Sequence, residues 1–184
     1  MLEIRTHLPY GVHATVETDP RPDGAGTLGQ LLPEAGITIG AAAGDWREAV
    51  RAAGAALVAT GAATDAYTDE MITAVETLGP YIVIAPGIAL AHSRPSPAVL
   101  KTGMSLVTLA SPVPFGHRSN DPVSLVIGLA APDDEGHVNG LAMLAGFLVD
   151  EERRAALLGA ATPGVIRSLI AAYESDSAGA AGHH

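Results

Sequence analysis

Histidine is the residue type in this sequence best suited to proton or group transfer. The chain of 184 residues has seven histidines and no cysteine, and the five histidines outside the C-terminal tail are His7, His13, His92, His117 and His137. Without cysteine there is no thiolate nucleophile, disulfide framework or cysteine-based zinc site. Any covalent chemistry must therefore use histidine, serine, threonine, lysine or a carboxylate.

His92 is set apart by its position at the end of a strongly apolar segment. It closes the sequence GIALAH at 87–92, after which the chain continues through Ser93, Arg94 and Pro95. Side chains at the ends of buried strands are held by the sheet yet remain accessible, so reactive groups collect there. The alternative is a buried imidazole that makes only structural hydrogen bonds, and spacing alone does not decide between the two.

His137 and His117 occupy different local settings. His137 follows the acidic turn 132–136 and opens a predicted helix, where free backbone amides and the helix dipole favour a bound anion such as phosphate. The alternative interpretation of His137 is that it begins the helix with its side chain pointing to water and has no function in a site. His117 lies in a loop rich in proline and glycine, and we expect it to stabilise that loop or to lie at the rim of a site.

Several familiar catalytic arrangements are disfavoured by the sequence. A metal triad of His92, His117 and His137 has no spacing typical of a local ligand motif such as HExxH. The chain also contains no GxSxG nucleophile elbow and no Walker P-loop. Reversible phosphoryl transfer through a phosphohistidine remains, because neutral imidazole is a nucleophile at pH 7 and the P–N bond is labile.

Charge and hydropathy narrow the class of partner. Ten lysines and arginines stand against 20 aspartates and glutamates, a net charge of −10 at pH 7. Nucleic-acid binding needs clustered cations and is therefore disfavoured, whereas a basic protein partner fits this charge. The N-terminal residues have no signal-peptide pattern, and the longest apolar runs, such as 123–131, are too short to span a membrane. We therefore expect a cytoplasmic protein.

The apolar spacing predicts helices on both sides of a group of strands. Asp45, with Glu48 in capping-box position, begins a helix that stops at Gly61, and a second helix runs from residue 64 or 65 to Gly79. Three more helices are predicted later, one with His137, one at 151–160 and one that begins at residue 163. The predicted strands are 37–39, 81–85, 88–90, 104–110 and 123–131. Several consecutive strands cannot all be joined by helical crossovers, so the predicted fold class is α/β with a mixed sheet.

Composition divides the chain into three segments. Residues 1–30 are rich in proline and glycine and are predicted to form an N-terminal arm, and 31–174 form the domain. Residues 175–184, which include His183 and His184, are predicted to be a disordered tail without a function. Inside the domain, the prolines of 111–122 predict an irregular loop.

Three segments resemble a known protein family. They are DWREAVRAAGAALV at 45–58, GPYIVIAPGIALAHSRP at 79–95 and GMSLVTLASPVPFGHRSNDPVSLVIGLAAPDDEGHVNGLAMLAGFLVDEE at 103–152. These segments resemble the IIA component of the bacterial phosphoenolpyruvate-dependent sugar phosphotransferase system, mannitol/fructose class, and within it the L-ascorbate-type branch. The resemblance covers 31–173. It implies a three-layer α/β/α domain, with a mixed β-sheet flanked by helices.

The resemblance also implies roles for two histidines. His92, in the segment ALxH, would accept a phosphoryl group from phospho-HPr and hand it to a IIB component, a separate chain with a reactive cysteine. The membrane IIC component would be served indirectly. His137, in the segment DxxxH, would stabilise the phosphoryl group. We expect no cofactor, no metal and no nucleic-acid partner, and a homodimer is compatible with the sequence.

The sequence departs from the family at one position near the expected site. Mannitol and fructose members carry an arginine upstream of the site histidine, and counting back places Glu76 there. We therefore expect another cation, Arg94 or Arg118, to face the phosphate. An alternative function, from a different class, is a regulatory phosphoprotein of the same fold that controls a binding partner and feeds no transporter.

Overall fold

The computed structural model describes residues 26–180, in which helices pack on both faces of a central sheet. The helices are Leu28–Leu31 (α1), Trp46–Ala59 (α2), Asp65–Leu78 (α3), Asp134–Leu148 (α4), Glu151–Leu158 (α5) and Pro163–Ala180 (α6). The strands are Ile37–Ala41 (β1), Val83–Ala85 (β2), Ile88–His92 (β3), Gly103–Val113 (β4) and Val123–Ala130 (β5), and a 3-10 turn covers Glu34–Gly36.

The described strands form one mixed sheet in the order β1-β4-β5-β3-β2. The pairs β1/β4 and β3/β5 are parallel, whereas β4/β5 and β2/β3 are antiparallel. Strand β5 lies in the middle, and its Leu129 is in register with His92 at the end of β3. The predicted α/β fold with a mixed sheet is confirmed.

Two hydrophobic cores lie on opposite faces of the sheet. One joins residues of α2 and α3, such as Leu57 and Met71, to the strand residues Val107 and Val126. The other joins residues of α1, α4, α5 and α6 to the strand residue Ile127. Because alternate residues of a strand face opposite sides, a strand buried on both faces is apolar over most of its length, as β5 is apart from Ser124.

Helix ends lie where the sequence predicts them, but Glu48 does not complete the predicted capping box, because its carboxylate accepts from the backbone N–H of Gly44 and not from that of Asp45. The Asp45 carboxylate accepts a hydrogen bond of 2.9 Å from the backbone N–H of Glu48 and begins α2. Gly61 follows α2 with a positive φ of 76°, a conformation that a glycine adopts without steric cost. Helix α3 has Thr64 at its N-cap and Gly79 at its C-cap. The two helices predicted between the first strand and the later strands are thereby confirmed.

Strand β4 extends further than the sequence predicts. The predicted loop 111–122 begins too early, because β4 continues through Val113 and includes Pro112. The pairing of β4 with β5 changes register between Thr108 and Val113, and a proline without an N–H is tolerated where a ladder is irregular. Strand β2, in contrast, is shorter than predicted and begins at Val83.

The predicted segment boundaries at both ends differ from the structure. Residues 28–30, assigned to the arm, belong to α1, which is attached to α6: the Gly29 N–H donates to Glu174 at 2.8 Å, and Arg167 donates to the carbonyls of Gly29 and Leu32. Helix α6 continues through Ala180, past the predicted start of the tail, because each residue added to a formed helix gains a hydrogen bond. His7, His13, His183 and His184 lie outside the described residues.

No helix within residues 26–180 is both long enough and apolar enough to cross a membrane.

Candidate functional site

His92 is the last residue of β3, at the edge of the sheet where the parallel strands β3 and β5 both end. Its Nδ1 lies 2.9 Å from the backbone carbonyl oxygen of Leu90. A carbonyl can only accept a hydrogen bond, so Nδ1 carries the hydrogen and the neutral ring has its lone pair on Nε2. The backbone of β3 therefore selects the tautomer whose nucleophilic nitrogen is Nε2.

The surroundings of His92 favour its neutral form. Burial lowers the pKa of His92 below its ordinary value, the Leu90 carbonyl opposes this shift, and the nearby His137 adds to it. A ring with a lowered pKa is largely unprotonated at pH 7. The Nε2 lone pair is therefore available for attack on an electrophile.

His137, on the first turns of α4, faces His92. The two ring centroids are 5.3 Å apart, and the ring planes are tilted by 44°. The Nδ1 atom of His137 is buried and has no hydrogen-bond partner among the described residues. Nε2 is therefore the ring nitrogen available to a group bound beside both rings.

Gly140 lets α4 pack closely against β5. A Cβ at Gly140 would lie 2.8 Å from a methyl group of Leu129, so an alanine there would require the Leu129 side chain or this part of α4 to shift. Leu129 is in register with His92. The glycine thus allows the helix that carries His137 to lie close to the end of β3.

The two rings open into a cleft of about 880 Å³ between α3, α4 and the end of β3. Its described lining includes three carboxylates, from Asp69, Glu70 and Asp134, and the hydroxyls of Thr73 and Thr77. Arg94 is the one arginine or lysine among the described residues that line this cleft. A multiply charged anion beside His92 would therefore depend on Arg94 for compensation by a fixed positive charge.

Tyr81 separates this cleft from a second depression. Its ring meets the His92 ring edge-on, with centroids 5.7 Å apart and planes at 81°. The second depression is lined by Tyr81, His117 and Arg118 among others. Of the two cations expected from the sequence, the structure thus brings Arg94 into the cleft with both histidines and leaves Arg118 in the neighbouring depression.

His117 stabilises its own loop, as the sequence predicts. Its Nδ1 accepts hydrogen bonds from the backbone N–H groups of Ser119, at 3.2 Å, and Asn120, at 3.0 Å. The Asp121 carboxylate accepts from three further N–H groups of the loop, including that of His117 at 3.0 Å. Within the described residues, no three side chains of histidine, aspartate or glutamate are grouped as metal ligands would be.

Glu76 does not line the cleft. Its carboxylate pairs with Arg47 of α2 at 3.0 Å, and both side chains are well exposed. Although glutamate replaces the family arginine at this position, its carboxylate is paired with Arg47 and does not face the two histidines.

Two tyrosines, Tyr67 and Tyr81, contribute to the site in ways that the sequence pattern does not indicate. The apolar spacing of α3 assigns Tyr67 to the hydrophobic core, and it is 1% exposed, yet its hydroxyl also contacts the backbone beside His92. Tyr81 was predicted to begin a strand but lies before β2 and packs against His92. The sequence carried one indication of the Tyr67 contact. A tyrosine at a core position, where phenylalanine would fill the same space, needs a polar partner for its hydroxyl.

Comparison with known proteins gives consistent matches. The chain matches the family model "Phosphoenolpyruvate-dependent sugar phosphotransferase system, EIIA 2" over residues 30–173. The ascorbate-specific PTS system EIIA component of Escherichia coli (strain K12) is 42% identical over 123 residues, which make up 66% of this chain and 80% of that protein.

Solved structures share the fold. The mannitol-specific cryptic phosphotransferase enzyme IIA CmtB from Escherichia coli has a TM-score of 0.71 and 33% identity, covering 78% of this chain and 97% of its own. A chain in the complex of enzyme IIAMtl and phosphorylated enzyme IIBMtl from Escherichia coli has a TM-score of 0.68 and 29% identity, covering 77% of this chain and 99% of its own.

Proposed function

We infer a mechanism from one premise: this chain belongs to the EIIA 2 family of the phosphoenolpyruvate-dependent sugar phosphotransferase system and is a IIA component. We propose that it accepts a phosphoryl group on Nε2 of His92 and passes that group to a IIB component. The observation that carries the proposal is the hydrogen bond of 2.9 Å between His92 Nδ1 and the Leu90 carbonyl. It leaves the lone pair on the nitrogen that faces away from the strand backbone.

The proposed step exchanges one P–N bond for another. Nε2 of His92 attacks the phosphorus of a phosphohistidine on the donor protein, the bond from phosphorus to the donor ring breaks, and that ring leaves with the electron pair. The His92 ring then carries both the phosphoryl group on Nε2 and a hydrogen on Nδ1. Its positive charge is stabilised by the Leu90 carbonyl oxygen, which already accepts that hydrogen.

Two side chains are proposed to stabilise the transferred group. The Nδ1 atom of His137 is enclosed without a partner among the described residues, and we propose that the other ring nitrogen, Nε2, donates a hydrogen bond to the phosphoryl group. Arg94 supplies a positive charge that is fixed at neutral pH. The transition state of phosphoryl transfer spreads negative charge over three oxygens, so donors positioned in advance lower its free energy. Arg118, in the adjoining depression, would contact only a partner that covers Tyr81 as well.

The carboxylates around the cleft favour a basic partner. Asp69, Glu70 and Asp134 would repel a free phosphate ion, but they attract a protein that presents cationic groups around its own phosphorylated residue. We propose phospho-HPr as the donor and a IIB chain as the acceptor, with a membrane IIC component served through IIB. We also propose that the exchange takes place in the cytoplasm, where phosphoenolpyruvate would charge the donor, and the ascorbate-specific relatives favour L-ascorbate as the transported carbohydrate.

Reconstitution of the relay tests the proposal. The protein is incubated with phosphoenolpyruvate, enzyme I and HPr, and its intact mass is measured before and after addition of an ascorbate-type IIB chain. We expect the mass of one phosphoryl group to appear only when HPr is present and to be lost when IIB is added. No gain in mass would overturn the proposal. A gain that IIB does not remove would overturn the transfer step and favour the regulatory phosphoprotein.

A further inference from the structure

A buried hydroxyl bridges the two strands at the exit of β3. The Oη of Tyr67, from α3, donates to the carbonyl of Leu129 at 2.7 Å and accepts from the backbone N–H of Ser93 at 2.9 Å. The carbonyl of Ser93 lies further away, at 3.3 Å. Ser93 directly follows His92, and Leu129 is the residue of β5 in register with His92. The hydroxyl thus joins the backbone on both sides of the proposed phosphoacceptor.

The bridge lies where a direct strand-to-strand bond would otherwise form. The N–H of Leu125 donates to the carbonyl of Gly87, and backbone groups alternate sides along a strand, so every second residue of β3 from Gly87 onward faces β5. Ser93 is in this series, and its N–H would next meet the carbonyl of Leu129. The tyrosine hydroxyl lies between these two groups and satisfies both.

We propose that Tyr67 is a positioning residue for His92. The Tyr67 hydroxyl holds the end of β3 in the conformation that lets the His92 imidazole reach the Leu90 carbonyl. This inference rests on the proposed function of His92. The Leu90 carbonyl and the Ser93 N–H belong to one short backbone segment, two residues before His92 and one residue after it. A shift of that segment at Ser93 would therefore rotate the ring away from Leu90 and change which nitrogen carries the hydrogen.

The environment of Tyr67 suits this task. The side chain is 1% exposed, and its ring is part of the core between the sheet and the helices α2 and α3. Burial raises the pKa of Tyr67 to about 12, so the hydroxyl keeps its hydrogen at neutral pH and remains a donor to Leu129. The same helix supplies Glu70, whose carboxylate accepts from the Ser96 hydroxyl at 2.7 Å. Helix α3 is thus attached to the chain after His92 at two points.

The test removes the hydroxyl alone. Tyr67→Phe keeps the ring, and Tyr173→Phe is the matched control, because Tyr173 packs against Phe147 on the far side of the sheet. For Tyr67→Phe we expect kcat for phosphoryl acceptance from phospho-HPr to fall by about 10-fold to 100-fold, with KM changed by less than about 2-fold. We also expect nitrogen NMR of the His92 ring to show a mixture of tautomers in place of the Nδ1–H form. Tyr173→Phe should match the wild type in all three measurements.

Two outcomes would overturn the positioning role. One is a folded Tyr67→Phe protein with the wild-type kcat and an unchanged His92 tautomer. The other needs no variant: the Ser93 amide of the wild-type protein should exchange with deuterium as slowly as the amides of β5, and rapid exchange would contradict the bridge even if Tyr67→Phe failed to fold. If the wild type is never phosphorylated on His92, the proposed function fails, whereas the tautomer and exchange measurements still decide the role of Tyr67.

Discussion

His92 and His117 use the same ring atom in opposite ways. At the end of β3, Nδ1 of His92 donates to the carbonyl of Leu90. In the loop before β5, Nδ1 of His117 accepts from the N–H groups of Ser119 and Asn120. The hydrogen of a neutral ring is therefore on Nδ1 in His92 and on Nε2 in His117. Of these two rings, the one of His92 has a free lone pair on its outer nitrogen, Nε2.

The difference arises from the backbone that surrounds each ring. A strand end presents a carbonyl that a side chain two residues later can reach, whereas a tight turn presents several N–H groups toward its inside, as the turn at 115–120 does for both His117 and Asp121. Residue type is thus a weak guide to nucleophilicity. The backbone group at Nδ1 decides whether a histidine can attack through Nε2.

The largest expected effect separates the two histidines directly. His92→Gln removes the nucleophile and should reduce phosphorylation by phospho-HPr at least about 1,000-fold, while His117→Gln should stay within about 3-fold of the wild type. The rate of incorporation of labelled phosphate into each variant measures this. Continued rapid labelling of His92→Gln would show that the acceptor is another residue.

His137 tests whether the second ring in the cleft acts on the phosphoryl group. His137→Ala should still be phosphorylated on His92, but about 100-fold more slowly, because one donor to the developing charge is lost. Single-turnover kinetics with phospho-HPr measure the effect. A wild-type rate would return His137 to the role of a helix-start residue without a function, and phosphate found on His137 of the wild-type protein would make it a second acceptor.

The two arginines extend the same comparison to the cations. Arg94→Gln should slow acceptance about 10-fold, since one charge-assisted hydrogen bond to the phosphoryl group disappears. Arg118 lies beyond Tyr81, in the neighbouring depression. The substitution Arg118→Gln should therefore change the rate of acceptance less than about 3-fold. Both are measured at equal ionic strength in the same assay. A larger effect for Arg118 than for Arg94 would reverse the proposed assignment.

The smallest expected effect is on pH dependence. The pKa of His92 is lowered below its ordinary value of 6.5, chiefly by burial. Titration of the ring followed by NMR should therefore give a midpoint below 6.5, and phosphoryl acceptance should persist to a correspondingly lower pH. The unfolded chain binds this proton more readily, so the contribution of His92 to stability is present above pH 6.5 and is lost as pH falls toward the folded pKa. A midpoint at or above 6.5 would contradict the desolvated site.

Much of the fold follows from local signals in the sequence. Asp45, Gly61 and Gly79 delimit α2 and α3 because caps act within a few residues of themselves. The strands followed from continuous apolar runs. The C-terminal ends of β4 and α6 could not be predicted in this way. The register shift that admits Pro112 into β4 and the length of α6 are not determined by residue type alone.

The site could be predicted only in part. The motifs around His92 and His137 identified both rings, and their resemblance to a family gave them roles. The sequence could not separate Arg94 from Arg118, because the position of Tyr81 between them depends on packing. It also could not show the Leu90 carbonyl or the hydroxyl of Tyr67 beside His92, since contacts to backbone atoms leave no pattern in residue types.

The role of Nε2 in His92 is tested by locating the phosphoryl group on the ring that carries it. Protein labelled with nitrogen-15 is phosphorylated by phospho-HPr, and proton–phosphorus and proton–nitrogen correlation spectra identify the phosphorylated nitrogen. We predict a single phosphoryl group on Nε2 of His92, with the hydrogen on Nδ1 retained toward the Leu90 carbonyl. A phosphoryl group on Nδ1 of His92, or on His117 or His137, would show that Nε2 of His92 is not the acceptor.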